Sequence, residues 1–196
     1  MLKVGITGNI GSGKTTVCRI FELLEVEVYY ADNRAKEIMH NHDVKKEIKE
    51  LFGPAVFNEN GDLNTKRLAR IVFCDKMALQ NLNEIIHPQI DKDFDLWLNK
   101  RKSHAYVLKE AAILYETGRY KKLDKIIVIA SSIDMMIERV RKRDNATIES
   151  VKARLSNQLD QQIKISKADY VIDNYENTLL IPQVIDVHNK LLKTSK

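Results

Sequence analysis

Gly8-Asn9-Ile10-Gly11-Ser12-Gly13-Lys14-Thr15 decides the fold. The stretch fits G-x-x-x-x-G-K-[ST], a glycine-rich loop that curls around phosphates. Before it, Leu2-Lys3-Val4-Gly5-Ile6-Thr7 is a short apolar run that reads as a buried strand. After it, Val17, Ile20, Phe21 and Leu24 fall at i, i+3, i+4 and i+7, one face of a helix. Glycines let the backbone curl without Cβ clashes, so successive N–H groups can converge on phosphate oxygens. The helix N-terminus adds free donors and partial positive charge. In that arrangement Lys14 reaches the β- and γ-phosphates and the Thr15 hydroxyl holds Mg²⁺, with Thr16 closing the nucleotide-binding stretch. The stretch predicts a nucleoside triphosphate site.

The 196 residues carry 44% hydrophobic and 30% charged side chains, ordinary values for one globular domain. A formal charge of +5 suits anionic nucleotides as well as nucleic acid. No lysine-arginine run interleaved with aromatics marks an RNA platform, so no nucleic-acid partner is expected. Cys18 and Cys74 form no C-x-x-C, and Cys18 reads as a small packing residue in a reducing compartment. There is no signal-peptide pattern, and no run approaches the ~18 apolar residues of a membrane span. The expectation is a cytoplasmic protein with no membrane partner, a monomer or weak homo-oligomer.

Further along, Val26-Glu27-Val28-Tyr29-Tyr30 is a second strand ending at Ala31-Asp32-Asn33, where a helix begins. Asp43 reads as the N-cap of another helix, stopped by Gly53-Pro54. Asn64 and Asp75 can cap two more, and Pro88 suits the first position of a further helix carrying Ile90, Phe94, Trp97 and Leu98. Residues 41–102 thus form a helical insertion, read as a substrate-binding lobe. Tyr106-Val107-Leu108 opens a third strand running toward Glu110. Lys125 to Ala130 is a fourth, apolar enough to be covered on both faces, and Tyr170-Val171-Ile172 a fifth. Helices over Ile133–Arg143 and after the cap Thr147 lie between them, and a last helix closes the chain. The pattern predicts an α/β fold: about five parallel strands flanked by helices.

Which phosphate chemistry follows depends on two features. Arg139 and Arg143 stand four apart and project to one side of a helix, where two guanidinium forks can grip a transferring phosphoryl group. The same spacing also describes a solvated basic helix end. Asp32 lies just past the second strand, and ligands of parallel sheets collect at the carboxyl ends of strands. A carboxylate there can take the proton of an attacking hydroxyl. It can also be the N-cap of the helix that follows. The D-x-x-G and N-K-x-D of GTPases are absent.

In order, these residues resemble the dephospho-coenzyme A kinase family. The likeness runs over residues 2–187 and includes Val4-Gly5-Ile6-Thr7-Gly8 into the loop, then Ala31-Asp32. Leu68 to Phe73, Ile85-Ile86-His87-Pro88 and Ile113-Leu114-Tyr115-Glu116 follow. Arg143-Asp144, Arg154 with Gln158, and Ala168-Asp169-Tyr170-Val171-Ile172-Asp173-Asn174 complete it. The resemblance implies a P-loop kinase fold whose single domain, 1–196, carries a helical lobe at 41–102 and an arginine-bearing lid at 138–165. It implies transfer of the ATP γ-phosphate, with Mg²⁺, to the 3′-hydroxyl of dephospho-coenzyme A. Asp32 would be the general base, Lys14, Arg139 and Arg143 would act on the phosphates, and Asn174 would lie near adenine. His87, Arg67 and Glu116 would be on the acceptor side.

Some positions depart from the family pattern. Glu110 and Ala112 replace an aspartate and a proline, although Glu110 keeps a carboxylate for Mg²⁺ through water. Met135 and Met136 stand where the lid helix carries glutamine, and Ile163-Lys164 replaces E-K. His40 and His42, two apart, read as surface residues, and Trp97 as core. His87 reads equally as a cap for the Pro88 helix, and Arg67 and Arg70 as a solvated face. Two rivals share the loop: another P-loop small-molecule kinase, such as a nucleoside monophosphate kinase, and a nucleotide-gated regulatory protein.

Overall fold

The computed structural model describes residues 1–195, apart from the side chains of Phe73 and Lys76. The phenylalanine closing the family-like stretch Leu68 to Phe73 therefore lies outside the described side chains. In chain order the strands are β1 (Leu2–Thr7), β2 (Val28–Tyr30), β3 (Tyr106–Glu110), β4 (Lys125–Ala130) and β5 (Tyr170–Asp173). The helices are α1 (Lys14–Leu23), α2 (Ala31–Ile38), α3 (His42–Phe52), α4 (Thr65–Cys74), α5 (Lys76–Asn99), α6 (Ile133–Asp144), α7 (Ile148–Ser156), α8 (Gln161–Ser166) and α9 (Leu180–Thr194). They form two compact units: Met1–Tyr30 with the chain from Ser103 onward, and Ala31–Lys102.

In the first unit all strand pairs are parallel, in the order β2-β3-β1-β4-β5. This is the sheet that the alternation of strands and helices predicts. β1 is central, with Ile6 beside Glu110 of β3 on one side and Ile127 of β4 on the other. Ile127 and Ile129 pack with Val17 and Phe21 of α1 and Val187 and Leu191 of α9. The alternate residues Ile126 and Val128 pack on the opposite face with Tyr115, Leu159 and Ile165. β4 is therefore apolar throughout because both its faces are covered, each large side chain contributing about 1.5–3 kcal/mol of burial. The second strand is shorter than expected. Val26 gives its amide to the Phe21 carbonyl at 3.1 Å, closing the turn after α1 instead of joining the sheet.

In the second unit α2, α3 and α4 each pack on α5. Asn64 caps α4 by accepting from Arg67 N at 3.1 Å, and Asp75 caps α5 by accepting from Met77 N at 2.8 Å and Ala78 N at 3.2 Å. Asp43 does not cap α3. Asn41 is at the cap and Asp43 sits inside the first turn, where its charge still favours the helix N-terminus.

The expected break before Pro88 is absent, since α5 runs through it as one helix of 24 residues. An interior proline lacks an amide and costs about 3 kcal/mol. Leu82, Ile86, Ile90 and Phe94, four apart and all buried, continue one apolar stripe across it and offset that cost. Arg34 of α2 clamps Asp93 of α5 through two hydrogen bonds, 2.8 and 2.7 Å. Trp97 is half-buried rather than core: it stacks on Phe94 at 5.9 Å, with the Arg101 guanidinium 4.0 Å from its ring centre. Among the described residues no helix is long and apolar enough to cross a membrane.

Candidate phosphate-binding site

β1 delivers the chain into the loop and α1 takes it away, as the apolar run and the helical spacing require. Gly13 stands at the α1 N-cap with φ 96°, a left-handed conformation that disfavours any side chain. A Cβ there would land on Asn174 Nδ2. Gly11 has φ 80°, and a Cβ there would lie 2.5 Å from the Met136 carbonyl oxygen. Backbone conformation and close approach thus both demand glycine. No side chain caps α1. Thr16 and Val17 already donate to the Gly13 carbonyl at 3.0 and 3.2 Å, and the Lys14 and Thr15 amides ahead of them precede the first helical bonds, which makes them donors for an anion.

The Gly11 and Ser12 carbonyls are held from outside the loop. Asn174 Nδ2 donates to the Ser12 carbonyl at 2.7 Å. Arg139 Nη1 donates to the Gly11 and Ser12 carbonyls at 3.3 and 3.4 Å, and to Ser131 Oγ at 3.1 Å. Arg139 Nη2 donates to Asn174 Oδ1 at 3.3 Å and to the Asn174 carbonyl at 3.4 Å. A trans peptide sets its N–H opposite its C=O. Fixing the Ser12 oxygen therefore turns the Gly13 N–H away from Asn174 and Arg139. Lys14 arches back over the loop, donating to the Gly8 carbonyl at 2.9 Å and to that of Asn9 at 3.5 Å. Thr15 and Thr16 are exposed on the first turn of α1.

The two arginines of α6 have different partners. Arg139 lies on the loop, whereas Arg143 pairs with Asp144 at 2.7 Å, a carboxylate it shares with Arg154 at 2.8 Å. The Arg143 hydrogen bond holds Asp144 below the usual carboxylate range, with Arg154 adding to it and desolvation opposing. Asn174 touches the loop backbone at the Ser12 carbonyl. Glu116 accepts from Leu159 N and lies 2.8 Å from Lys164 Nζ. Glu110 ends β3, buried. Burial first, then the Glu110 charge, pushes the Cys18 thiol far up, while Lys14 pulls the other way. Cys18 is the packing residue its position suggests.

The remaining expected residues lie in the second unit. Asp32 is the second residue of α2, exposed, and inside the first turn rather than at a cap. His87 is half-buried, with no helix starting after it to be capped. Arg67 donates to the Phe57 carbonyl at 3.1 Å and to that of Ala55 at 3.4 Å, tying α4 to the turn after α3. His40 and His42 are exposed, as their spacing suggests.

Among the described residues no three His, Cys, Asp or Glu side chains cluster as a protein metal cage. The exposed Thr15 hydroxyl on the loop and the Glu110 carboxylate at the end of β3, the strand beside β1, are hard oxygen donors that fit Mg²⁺, which binds through one or two protein groups, waters and substrate phosphates. Sequence reading missed Ser131 and Gln161, and for the loop residue Asn9 it missed the side-chain contact. Gln161 accepts from Ser131 N at 3.0 Å and donates to its carbonyl at 3.1 Å, and Asn9 Nδ2 donates to the Leu159 carbonyl at 3.4 Å. All three contacts join polar residues to partners far away in sequence, and no local pattern marks such pairings.

The family model described as dephospho-CoA kinase matches residues 2–179. A dephospho-CoA kinase of Bacteroides fragilis is 34% identical over 187 residues, covering 95% of this chain and 91% of its own. A Thermus thermophilus crystal structure superposes with a TM-score of 0.86 at 28% identity, covering 98% of this chain and 97% of its own. A dephospho-CoA kinase from Campylobacter jejuni superposes at 0.71 and 27% identity, covering 99% and 98%.

Proposed function

The chain belongs to the dephospho-CoA kinase family, and from that premise we propose that it transfers the γ-phosphoryl group of ATP to the ribose 3′-hydroxyl of dephospho-coenzyme A. The products are coenzyme A and ADP, and the reaction is the last step of coenzyme A biosynthesis. One observation carries the reading at the site: Gly8–Thr15 forms a phosphate loop whose Gly11 and Ser12 carbonyls are held from outside by Arg139 and Asn174.

In this mechanism the loop amides and Lys14 receive the β- and γ-phosphates. Lys14 exchanges its bonds to the Gly8 and Asn9 carbonyls for phosphate oxygens, a stronger charge-assisted pairing. Arg139 is already anchored beside the loop, and its fork adds positive charge where phosphoryl transfer spreads negative charge. Arg143 joins it by leaving Asp144. Asp32, two residues beyond the end of β2, orients the ribose hydroxyl and takes its proton. His87 and Arg67 contact the acceptor. Thr15, with Glu110 through water, would hold Mg²⁺, which neutralises phosphate charge.

The same reading has the enzyme working in the cytoplasm as a monomer or weak homo-oligomer, with neither nucleic acid nor membrane as partner. An acceptor screen tests it. ADP release should be stimulated by dephospho-coenzyme A and not by a nucleoside monophosphate. Stimulation by the monophosphate alone, or by neither, would refute the assignment.

A further inference from the structure

The segment between α7 and α8 is strapped to the loop by side chains that the mechanism above does not use. Ile10 donates its amide to Gln158 Oε1 at 2.8 Å. The next residue, Leu159, accepts from Asn9 Nδ2 at 3.4 Å and donates its amide to Glu116 Oε1 at 2.8 Å. The same Glu116 oxygen lies 2.8 Å from Lys164 Nζ. Gln161 fastens the strap to the end of β4 through both backbone groups of Ser131.

Lys164 is fully buried, and a buried ammonium is held there only by a partner of opposite charge. Glu116, 18% exposed, is that partner. Burial draws the Lys164 ammonium below its ordinary pKa, Glu116 opposes the change, and the Lys14 charge adds to it. The pair is therefore electrostatically part of the loop's surroundings. Asn9 and Ile10 lie in the part of the loop before Gly11, where Lys14 reaches only the Asn9 carbonyl, at 3.5 Å. Their outside partners are Gln158 and Leu159.

Resting on the kinase reading above, we infer that Gln158, Glu116 and Lys164 are positioning residues for phosphoryl transfer. Lys164 fixes Glu116, and Glu116 fixes the Leu159 amide. Gln158 and Leu159 then hold the Asn9–Ile10 half of the loop in the curl that receives phosphate. Glu116 serves the ATP side of the reaction through this strap rather than by touching the acceptor.

The test uses Gln158→Ala and Glu116→Gln in the full chain, with melting temperature as the folding control. Affinity for a non-hydrolysable ATP analogue is measured directly, and KM and kcat are measured with ATP and dephospho-coenzyme A varied separately. Both variants should weaken analogue binding and lower kcat/KM for ATP by about tenfold, through the hydrogen bond lost in Gln158→Ala and through the negative charge facing buried Lys164 lost in Glu116→Gln. KM for the acceptor should stay unchanged. A raised acceptor KM with unchanged ATP parameters would overturn the inference and make Glu116 an acceptor contact. Unchanged constants throughout would reduce the strap to packing. Lys164→Met should follow Glu116→Gln; if it fails to fold, Gln158→Ala decides alone. Analogue binding needs no acceptor, so a wild type that binds it but leaves dephospho-coenzyme A untouched refutes the proposed function and not the strap.

Discussion

Asn174 donates its side-chain amide to the Ser12 carbonyl at 2.7 Å, joining the exit of β5 to the phosphate loop across 162 residues of chain. Arg139 reaches the same carbonyl, so two donors set one peptide plane. Asn174→Ala removes the shorter bond and leaves the longer. ATP affinity should fall about tenfold, read by calorimetric titration. Asn174→Asp should cost more, because a carboxylate would then face the Ser12 oxygen. Wild-type affinity in both variants would show that the bond does not organise the loop.

Gly13→Ala tests the same contact from the other side. A Cβ at Gly13 collides with Asn174 Nδ2 and is also disfavoured by φ 96°. Nucleotide binding should drop by at least about tenfold, since left-handed strain alone costs about 1–2 kcal/mol. Adding Asn174→Ala should restore part of the loss, by the share due to collision. A Gly13→Ala protein that binds ATP normally would contradict the close packing.

Lys14→Ala should abolish transfer to every acceptor, whereas Asp32→Asn should spare ATP binding and cut turnover by about 10²–10⁴, the range for a positioned base. Single-turnover kinetics separate the two. Near-normal turnover in Asp32→Asn would leave that carboxylate only its helix-dipole role in the first turn of α2.

Asp144 gives a pH-dependent stability prediction. The Arg143 hydrogen bond, with Arg154 behind it, holds its folded pKa below the unfolded value of about 3.9. Its stabilisation is therefore fully present above that unfolded pKa and lost as pH falls through the folded one. Asp144→Asn should lower the melting temperature at neutral pH, by the equivalent of about 1 kcal/mol or less given solvent screening. The difference should vanish in strong acid. A difference that persists there would assign the effect to packing.

Much of this fold was legible because its signals are local. The loop, its flanking periodicities and the caps Asn64, Asp75 and Thr147 are written within a few residues of the structures they make. α5 was misread at Pro88 because a proline suits a helix start, and that local rule outweighed the four-residue spacing of Leu82, Ile86, Ile90 and Phe94 that crosses it. The site was legible as a nucleotide loop and not as a network. Asn174–Ser12, Gln158–Ile10 and Glu116–Lys164 pair residues tens to more than a hundred positions apart. One sequence shows that such polar residues exist and not which carbonyl or amide each will meet. Arg139 and Arg143 share a helix face by spacing, yet their forks reach different partners because a long side chain goes where acceptors are.

The most direct measurement is the position of the new phosphate on the acceptor. The chain is incubated with ATP, Mg²⁺ and dephospho-coenzyme A, and the product is examined by phosphorus NMR and mass spectrometry. One phosphoryl group should be added per ADP formed, carried as a monoester on the ribose 3′-oxygen. ADP formed with no phosphoryl on the acceptor, or a phosphate at any other oxygen, would contradict the proposed function.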